Sequence, residues 1–497
     1  MLNKKVIVIG AGLGGLAAAI RLASAGANVS ILEKNASPGG KVNIHRAAGY
    51  TFDTGASLLT MRHILEDLFR SAGRHVEDYL DITALDPICR YTWPDDTTLD
   101  ASTNLEKTAR EIHRIAPADV DGFYKFLDDA RRKYEVADRT FLAHSLNDLP
   151  KLLRPRYARD LAVISSWRTL DAHVRQYFHS PYLQQLFNRF ATYNGSSPHS
   201  VPATFALIPY VEFGLGAWYV RGGMYNLPRA LVRLCAELKV EIRTNAEVEK
   251  ILIQKGRAYA VKLKDGTTLG CDAIVANSDA VETYRTLIDE DARRVYTNKK
   301  LAKIEPSCSG FVILLGTTRR YDQLAHHNIF FSSNYPAEFQ AIFKELRPAN
   351  DPTIYVCASS RTDASQAPKG HENLFVLVNA PATSARTKWT KEARDYRDLI
   401  VSKLESYGLE KLSAAIDYEK IITPDDFEKT YRAYRGSIYG ISSNKLTSAF
   451  LRPPNKARDI EGLYFAGGAT HPGGGIPLVL LSGKMAADLV MRNELKN

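Results

Sequence analysis

The sequence has few cysteines, and their spacing gives them no recognisable metal-binding or redox role. Five cysteines occur in 497 residues and lie far apart, at Cys89, Cys235, Cys271, Cys308 and Cys357. Because no C-x-x-C pair is present, a zinc ribbon and a thioredoxin-like redox motif are excluded. An odd number of cysteines without a disulfide framework is typical of a reducing cytoplasm.

Long hydrophobic runs are also missing. No stretch of the sequence reaches the roughly 18 consecutive apolar residues that a membrane-spanning helix requires. The first residues, "MLNKKVIVIGAGLGG", carry two lysines before an apolar run, as a signal peptide does, but glycines interrupt that run after a few residues. We therefore expect a soluble or peripheral protein rather than an integral one.

The chain has no excess of acidic residues. Its 65 basic and 55 acidic residues give a net charge of +10, which favours anionic surfaces such as nucleic acid or phospholipid headgroups. No nucleic-acid-binding module is recognisable, and no Lys/Arg block is long enough to form a tail. We expect no nucleic-acid partner, and we favour a membrane surface or an anionic cofactor. The oligomeric state stays open.

What is present is a strand–glycine–helix element near each end of the chain. At the N-terminus, "VIVIGAGLGGLAAAIRLASAG" places Gly10, Gly12 and Gly15 as G-x-G-x-x-G between a predicted strand and a predicted helix that closes at Gly26. In such a motif the first glycine permits the tight turn, the second lets the backbone approach a pyrophosphate, and the third allows close helix–strand packing. The pattern predicts a dinucleotide site at the helix N-terminus.

The segment after this unit favours a flavin over a nicotinamide cofactor. Glu33 ends the second predicted strand, where an acidic side chain would accept hydrogen bonds from the adenosine ribose. Gly39, Gly40 and Lys41 then supply a flexible turn and a cation. A transient nicotinamide does not need this second loop, whereas a long and permanently held FAD can use it.

The C-terminal element has the same form. "LYFAGGATHPGGGIPLVLLSGK" runs from Leu463 to Lys484 and contains glycines at 467–468 and 473–475. Bare backbone there would let N–H groups reach pyrophosphate and ribityl oxygens, and a helix from about Ile476 would direct its positive end at the flavin. The alternative is an ordinary β–α unit with a mobile glycine turn.

The rest of the chain divides into helical and strand-rich regions. Segment 100–190 is mostly helical in pattern, whereas 240–280 and 308–380 show the short apolar or alternating runs of strands. We therefore predict a mixed α/β (α+β) fold. It would comprise a discontinuous Rossmann-like FAD-binding domain (1–85, about 220–300 and 455–497), a helical substrate- and membrane-associating region (about 86–220) and a mixed-sheet substrate domain (about 301–454).

These motifs resemble those of a known family. "VIGAGLGGLAAAIRLASAGANVSILEKNASPGGK" and "YFAGGATHPGGGIPLVLLSGK" resemble the FAD-binding elements of the amine oxidase and carotenoid desaturase superfamily. "FDTGASLL" is similar to the F-D-x-G-P-[ST] segment of bacterial carotenoid desaturases and oxidases, with Ala56 in place of proline. "WYVRGGMYNLPRALVRLCAELKVEIRTNAEVEKI" resembles their stretch leading to the strand that meets adenine, near Val248.

Together, motif and resemblance predict one set of cofactor contacts. They are Gly10, Gly12, Leu13, Gly14, Gly15, Glu33, Lys34, Gly40, Lys41, Val248, Gly467, Gly468, Gly475 and Ile476.

The finer resemblance bears on the reaction. "LAHHNIFF", "RGSIYG" and "GGATHPGGGIPLVLLSGK" resemble the thirty-carbon carotenoid oxidases, the diaponeurosporene and diapolycopene oxygenases, whereas Thr470-His471-Pro472 resembles the desaturase form. The resemblance implies an FAD enzyme that oxidises a terminal methyl of an acyclic carotenoid to an aldehyde. The alternatives are a carotenoid desaturase, an amine oxidase without a recognisable aromatic cage, and a non-catalytic prenyl-lipid-binding relative of the Rab escort and GDP-dissociation-inhibitor type.

The sequence offers few catalytic side chains, because the flavin itself performs such chemistry. Lys41, by its motif position, and His471 are the candidates, and a structural role before Pro472 is the alternative for His471. We expect no metal, because His326 and His327, as neighbours on a strand, would point to opposite faces. Asp363 is expected to cap a loop.

One stretch suggests contact with a membrane. Segment 149–170, "LPKLLRPRYARDLAVISSWRTL", mixes cations with apolar and aromatic residues, namely Arg154, Arg156, Arg159, Leu152, Leu153, Tyr157 and Trp167. A basic, apolar surface of this kind can rest on phospholipid headgroups, and a solvated basic helix is the alternative. We expect a peripheral protein on the cytoplasmic face of the bacterial membrane.

Overall fold

The computed structural model describes residues 4–148, 164, 167–384, 387, 389–445 and 452–495. In chain order the strands are β1 (Lys5–Ile9), β2 (Asn28–Leu32), β3 (Ile44–Ala47), β4 (Tyr50–Asp53), β5 (Ile82–Ala84), β6 (Cys89–Thr92), β7 (Thr98–Ala101), β8 (Trp218–Val220), β9 (Glu241–Arg243), β10 (Val248–Gln254), β11 (Arg257–Leu263), β12 (Thr268–Gly270), β13 (Ala273–Ala276), β14 (Ser309–Thr317), β15 (His327–Phe330), β16 (Ile354–Cys357), β17 (Glu372–Ala380), β18 (Ile416–Ile422) and β19 (Leu463–Phe465).

The helices follow the same order along the described chain. They are α1 (Leu13–Ser24), α2 (Arg62–Ser71), α3 (Leu105–Ile115), α4 (Val120–Ala137), α5 (Leu170–Val174), α6 (Pro181–Asn188), α7 (Ile208–Phe213), α8 (Asn226–Glu237), α9 (Ala280–Glu282), α10 (Asn298–Leu301), α11 (Tyr335–Gln340), α12 (Trp389–Ser406), α13 (Leu412–Ala415), α14 (Pro424–Tyr431) and α15 (Ile476–Val490). Within the described ranges, no helix combines the length and the apolarity that crossing a bilayer requires.

A five-stranded parallel sheet brings the two ends of the chain together. Its strand order is β19-β13-β1-β2-β9, so β13 lies between the first strand and the last. Val275 of β13 pairs with Val8 on one side and with Tyr464 on the other. Because the carboxyl ends of parallel strands share one edge of a sheet, the glycine loops after β1 and β19 emerge at the same edge. The predicted Rossmann-like architecture is confirmed.

The first and last helices pack closely at this sheet. A Cβ placed on Gly483 of α15 would lie 2.4 Å from the carbonyl oxygen of Gly14 and 2.9 Å from the Cβ of Ala17 in α1. A larger residue at position 483 would therefore push the two helices apart. The small side chains of "LAAAIRLASAG" in α1 are those that permit this contact.

The second large sheet is mixed, as predicted for the substrate domain. Its order is β18-β14-β17-β16-β15-β6-β7, and the β15–β6 pair is parallel while the other pairs are antiparallel. Strands β6 and β7 come from 89–101, which the sequence analysis assigned to the helical region. They form a hairpin there because Pro94, Asp95 and Asp96 make a turn between two short runs of alternating burial.

A helical layer covers one end of this sheet. It contains α3 to α7, with an aromatic core in which the Phe178 and Phe187 rings stack with centroids 4.5 Å apart. Phe126 packs against the same two rings. Much of the predicted helical region lies in this layer; residues 149–163, 165 and 166 of that region are outside the described part of the chain.

Candidate functional site

A cavity of about 330 Å³ lies at the carboxyl edge of the parallel sheet. Its wall is built from the residues that follow β1, β2, β13 and β19, together with the turn at Gly39 and Gly40. Of the predicted cofactor contacts, the cavity wall contains Gly10, Gly12, Leu13, Gly14, Glu33, Lys34, Gly40, Lys41, Val248, Gly467, Gly468, Gly475 and Ile476. Gly15 lies one step behind the wall, where a Cβ would be 2.3 Å from the carbonyl oxygen of Gly10.

The two glycine motifs meet at a seam formed by Gly14, Gly467 and Asn277. A Cβ on Gly14 would lie 3.0 Å from the Gly467 nitrogen and 2.6 Å from Asn277 Oδ1. Asn277, directly after β13, donates through Nδ2 to the carbonyl oxygen of Gly10 at 3.3 Å. Sequence reasoning missed Asn277, although a polar residue at the carboxyl end of a buried strand, in "IVANSDA", is the signal that would have found it.

Glu33 shapes the first glycine loop. Its Oε2 accepts the N–H of Ala11 at 2.8 Å, and its Oε1 accepts the N–H of Asn35 at 2.9 Å. A carboxylate has further lone pairs on both oxygens, so these two bonds leave capacity for ribose hydroxyls. Glu33 lies in the wall of the cavity, as the prediction requires.

The end of the cavity near Lys34 and Glu247 has charges of both signs. Lys34 donates through Nζ to the carbonyl oxygen of Lys429 at 3.2 Å, and burial, followed by the charge of Arg432, lowers the pKa of its ammonium. Glu247 forms a salt bridge with Arg432 and another with Lys264. Val248 begins β10 beside these groups and lines the cavity, where the resemblance places adenine.

Lys41 directly follows the turn at Gly39 and Gly40, and its side chain contacts the segment "RGSIYG" (435–440). Its Nζ donates to the carbonyl oxygens of Ser437 at 3.1 Å and Ile438 at 2.9 Å. Burial lowers its pKa to about 8, and the charge of Asp279 opposes that shift. Burial in turn raises the pKa of the Asp279 carboxyl, which accepts the N–H groups of Val281 and Glu282. Lys41 thus holds two chain segments against the cavity.

His471 fastens the C-terminal loop to the helical layer. Its Nε2 donates to the carbonyl oxygens of Phe141 at 2.9 Å and His144 at 3.0 Å. Its own carbonyl oxygen accepts from Asn455 at 2.9 Å and Ser482 at 2.8 Å. Burial lowers the pKa of the ring to about 4, so the ring is neutral at physiological pH. These contacts favour the structural alternative over a catalytic one.

A buried arginine supports the same loop, and sequence reasoning did not single it out. Arg452 donates through Nη1 to the carbonyl oxygens of Gly468 at 3.0 Å and Tyr439 at 3.2 Å. Its Nη2 donates to Asn194 Oδ1 at 3.1 Å. Burial lowers the pKa of the guanidinium to about 10. Arg452 lies outside every motif quoted above, so no motif indicated its role.

A second cavity, of about 380 Å³, shares part of its wall with the first. The two share the wall residues Gly55, Ala56, Phe375, Leu377, Tyr439, Gly474, Gly475 and Ile476. Beyond this shared wall the lining is mostly aliphatic and aromatic, with side chains such as Leu58, Met61, Phe205, Val211 and Ile329. An extended apolar molecule in the second cavity would therefore meet the cofactor cavity at one end.

A buried ion pair interrupts the apolar wall. Arg189 and Glu212 are 7% and 2% exposed, and Arg189 Nη2 lies 3.3 Å from Glu212 Oε2. The guanidinium also lies over the Phe190 ring, 4.4 Å from its centroid, and donates to the Tyr91 hydroxyl at 2.8 Å. Burial raises the pKa of Glu212, while the Arg189 charge opposes the rise.

The expectation that His326 and His327 diverge is wrong. Their ring centroids are 4.4 Å apart, because β15 begins at His327 and His326 precedes the regular pleat. Asp363 is a loop cap, as predicted: its side chain accepts the N–H of Ser365 at 3.0 Å and that of Gly222 at 2.6 Å.

The residues present fit FAD. Helix α1 begins at Leu13, and its N-cap residue Gly12 supplies no side-chain cap, which leaves the first N–H groups of the helix available to a phosphate. A side chain at Gly14 would meet the Gly467 backbone and the Asn277 side chain, so the two glycine loops approach each other closely at the cavity. Glu33 lies in the wall of the same cavity, where the remaining lone pairs of its carboxylate could accept ribose hydroxyls.

Comparison with known proteins agrees with this architecture. The model of the flavin containing amine oxidoreductases matches residues 13–491. The chain belongs to the flavin-containing amine oxidoreductase family, it is an oxidoreductase, and its cofactor is FAD, as predicted.

Particular relatives match over the whole chain. The 4,4'-diapolycopene oxygenase of Methylomonas sp. is 40% identical over 495 residues, which are 98% of each chain. The 4,4'-diaponeurosporene oxygenase of Staphylococcus aureus is 37% identical over 497 residues, which are 100% of each chain. An oxidoreductase from Methanosarcina mazei has the same fold, with a TM-score of 0.66 and 18% identity over 98% of this chain and 100% of that one. The resemblance drawn from the motifs is confirmed.

Proposed function

We propose that the protein is an FAD-dependent carotenoid oxidase, which converts a terminal methyl of an acyclic carotenoid of the diaponeurosporene or diapolycopene type to an aldehyde. The observation that carries the proposal is the mostly apolar second cavity, which shares one wall with the FAD cavity. The two oxygenases that match the chain over its length act, by their names, on such carotenoids.

The reaction balances with dioxygen as the oxidant. A methyl group and one O2 give an aldehyde and one water, so the carbon loses four electrons and gains one oxygen atom. Bound FAD supplies the redox chemistry at the carbon. A polyene offers no acidic proton and no hydrogen-bonding group, so the protein's task is to place its end.

The second cavity has the features that this task requires. Tyr439 and Ile476 lie in the wall that both cavities share, where the reacting end of the substrate would stop. Apolar side chains such as Leu58 and Phe205 would hold the rest of the chain by burial, without specific polar contacts. Lys41 and Arg452 donate hydrogen bonds to backbone carbonyl oxygens of the segments around the shared wall, and these bonds hold the segments in place.

Product analysis separates this function from its competitor, a carotenoid desaturase. The protein is expressed in a carotenoid-free bacterial host that supplies either diapophytoene or diapolycopene, and the extracts are analysed by mass and absorption spectrum. We expect oxygen to enter diapolycopene with loss of hydrogen, and diapophytoene to stay unchanged. Stepwise loss of hydrogen pairs from diapophytoene, without oxygen, would identify a desaturase instead.

We further propose that the protein works as a peripheral protein on the cytoplasmic face of the bacterial membrane. The net charge of +10 and the long apolar substrate support this. Trp167 is 89% exposed, and it lies near the end of the basic, aromatic stretch 149–170, which begins soon after Phe141 and Leu142 of the second cavity wall. Within 149–170, only Ile164 and residues 167–170 belong to the described part of the chain.

Vesicle sedimentation tests the membrane proposal. We expect the protein to sediment with vesicles containing anionic phospholipid and to stay in solution with neutral vesicles or at high salt. Trp167→Ser should weaken sedimentation. Tyr259→Ser is the matched control, because Tyr259 is another exposed aromatic residue, on β11. Equal binding by both variants would argue against a role for this stretch.

A further inference from the structure

Three side chains with metal-ligand chemistry lie together in the seven-stranded sheet. His327 begins β15, His326 precedes it, and Cys357 ends β16 directly opposite His327 in the strand register. All three are buried, with exposures of 5% for His326, 2% for His327 and 5% for Cys357. The cluster is formed by chain segments separate from those of the FAD cavity.

The three ligand atoms are close to the spacing that one ion needs. One nitrogen of each imidazole and the Cys357 sulfur lie within 4.8 Å of one another. In a tetrahedral zinc site with ordinary Zn–N and Zn–S bonds, the ligand atoms lie roughly 3.3–3.6 Å apart. Small rotations of the side chains would therefore bring the three atoms into coordination.

The hydrogen bonds of the two histidines leave one nitrogen on each ring without a partner. His326 Nδ1 lies 2.7 Å from the Thr362 hydroxyl, and His327 Nδ1 lies 2.8 Å from the Tyr355 hydroxyl. Among the described residues, Nε2 of each ring is buried and has no hydrogen-bond partner. Buried polar atoms are normally paired. A metal-bound histidine typically makes an outer hydrogen bond through one nitrogen and offers the other to the ion.

Charges of both signs act on the three side chains. The Cys357 thiol would release its proton to solvent when the ion binds. The Asp53 and Asp363 carboxylates act electrostatically on the thiol and on His326 and favour a cation there, whereas the Arg189 guanidinium acts on His327 in the opposite sense.

We propose that His326, His327 and Cys357 bind a transition-metal ion, with Zn2+ as the best match. A thiolate with two imidazoles favours Zn2+ or copper over Mg2+ and Ca2+, which prefer oxygen ligands. His327 also lines the second cavity, so the ion would lie in the wall beside the substrate. We expected no metal from the sequence because adjacent residues of one strand point to opposite faces, whereas His326 precedes the strand.

Metal content of the FAD-loaded protein tests the site. The protein is treated with a chelator, dialysed against Zn2+, and analysed by elemental mass spectrometry. We expect about one Zn2+ per chain, and a loss of affinity of at least about tenfold in Cys357→Ser. Cys235→Ser is the matched control, because Cys235 is a fully buried cysteine in α8. Zinc bound equally by Cys357→Ser, or by neither protein, would overturn the proposal.

X-ray absorption of the zinc-loaded wild-type protein decides the matter even if a variant fails to fold. We expect one sulfur at about 2.3 Å and two imidazole nitrogens at about 2.0 Å from the zinc. A first shell without sulfur would overturn the assignment, whatever the zinc content.

Discussion

Replacing Gly14 by alanine tests the seam between the two glycine motifs. A Cβ at this position would lie 3.0 Å from the Gly467 nitrogen, 3.1 Å from the Gly467 Cα and 2.6 Å from Asn277 Oδ1. Asn277 can rotate, but the backbone of Gly467 must move by a few tenths of an ångström. The two glycine loops that line the cofactor cavity would then move apart.

The size of the effect follows from the cost of overpacking. Inserting one methyl group into a closely packed contact costs about 1–3 kcal/mol. We expect the loops of the variant apoprotein to separate and relieve the strain, and we expect FAD binding to require the loop spacing seen here, so that the cost counts against binding. A cost of this size raises the Kd for FAD by about 5- to 150-fold.

The assay is titration of apoprotein with FAD, followed by flavin fluorescence, with thermal unfolding of the apoprotein measured in parallel. Gly270→Ala is the matched control, since a Cβ there would meet its nearest atom at 4.0 Å. Wild-type affinity in a folded Gly14→Ala variant would refute the role of the seam.

Three further predictions concern buried charges. The pKa of Lys41, about 8 against an ordinary 10.5, means that the unfolded chain binds more protons between these values, so the free energy of unfolding should rise with pH across this window. Lys41→Met should abolish that rise in urea titrations. His471 has a pKa of about 4 against an ordinary 6.5, so stability should fall as the pH drops from 6.5 toward 4, and His471→Gln should reduce that slope. Arg189→Leu should lower the free energy of unfolding by about 3–5 kcal/mol, because it leaves Glu212 unpaired. The double variant with Glu212→Leu should lower it by less. Equal losses in the single and the double variant would contradict the pairing.

The cofactor site was largely predictable from the sequence, because its parts are local. A glycine motif after an apolar strand, followed by a helix, specifies both conformation and phosphate binding, so Gly12 and Gly467 could be assigned without a structure. That the two motifs share one sheet edge depends on β13, whose position between β1 and β19 is a long-range fact. Asn277 follows β13 and was missed for this reason.

The remaining features depend on tertiary contacts. Arg189 and Glu212 meet across two helical segments, and no spacing in the sequence indicates their pairing. His326 and His327 were misjudged because the strand begins one residue later than the alternation argument assumes. His471 is bonded to carbonyl oxygens of residues 141 and 144, which a reading of its own motif cannot reveal.

The most direct test of the proposed function is the product of the purified protein. FAD-loaded protein is incubated with vesicles containing diapolycopene under 18O2. The carotenoids are then extracted and their molecular masses are measured by mass spectrometry. The account predicts an aldehyde in which each oxidised end has gained one labelled oxygen and lost two hydrogens, with label measured before exchange with water. A carotenoid that has lost hydrogen without gaining oxygen would contradict it.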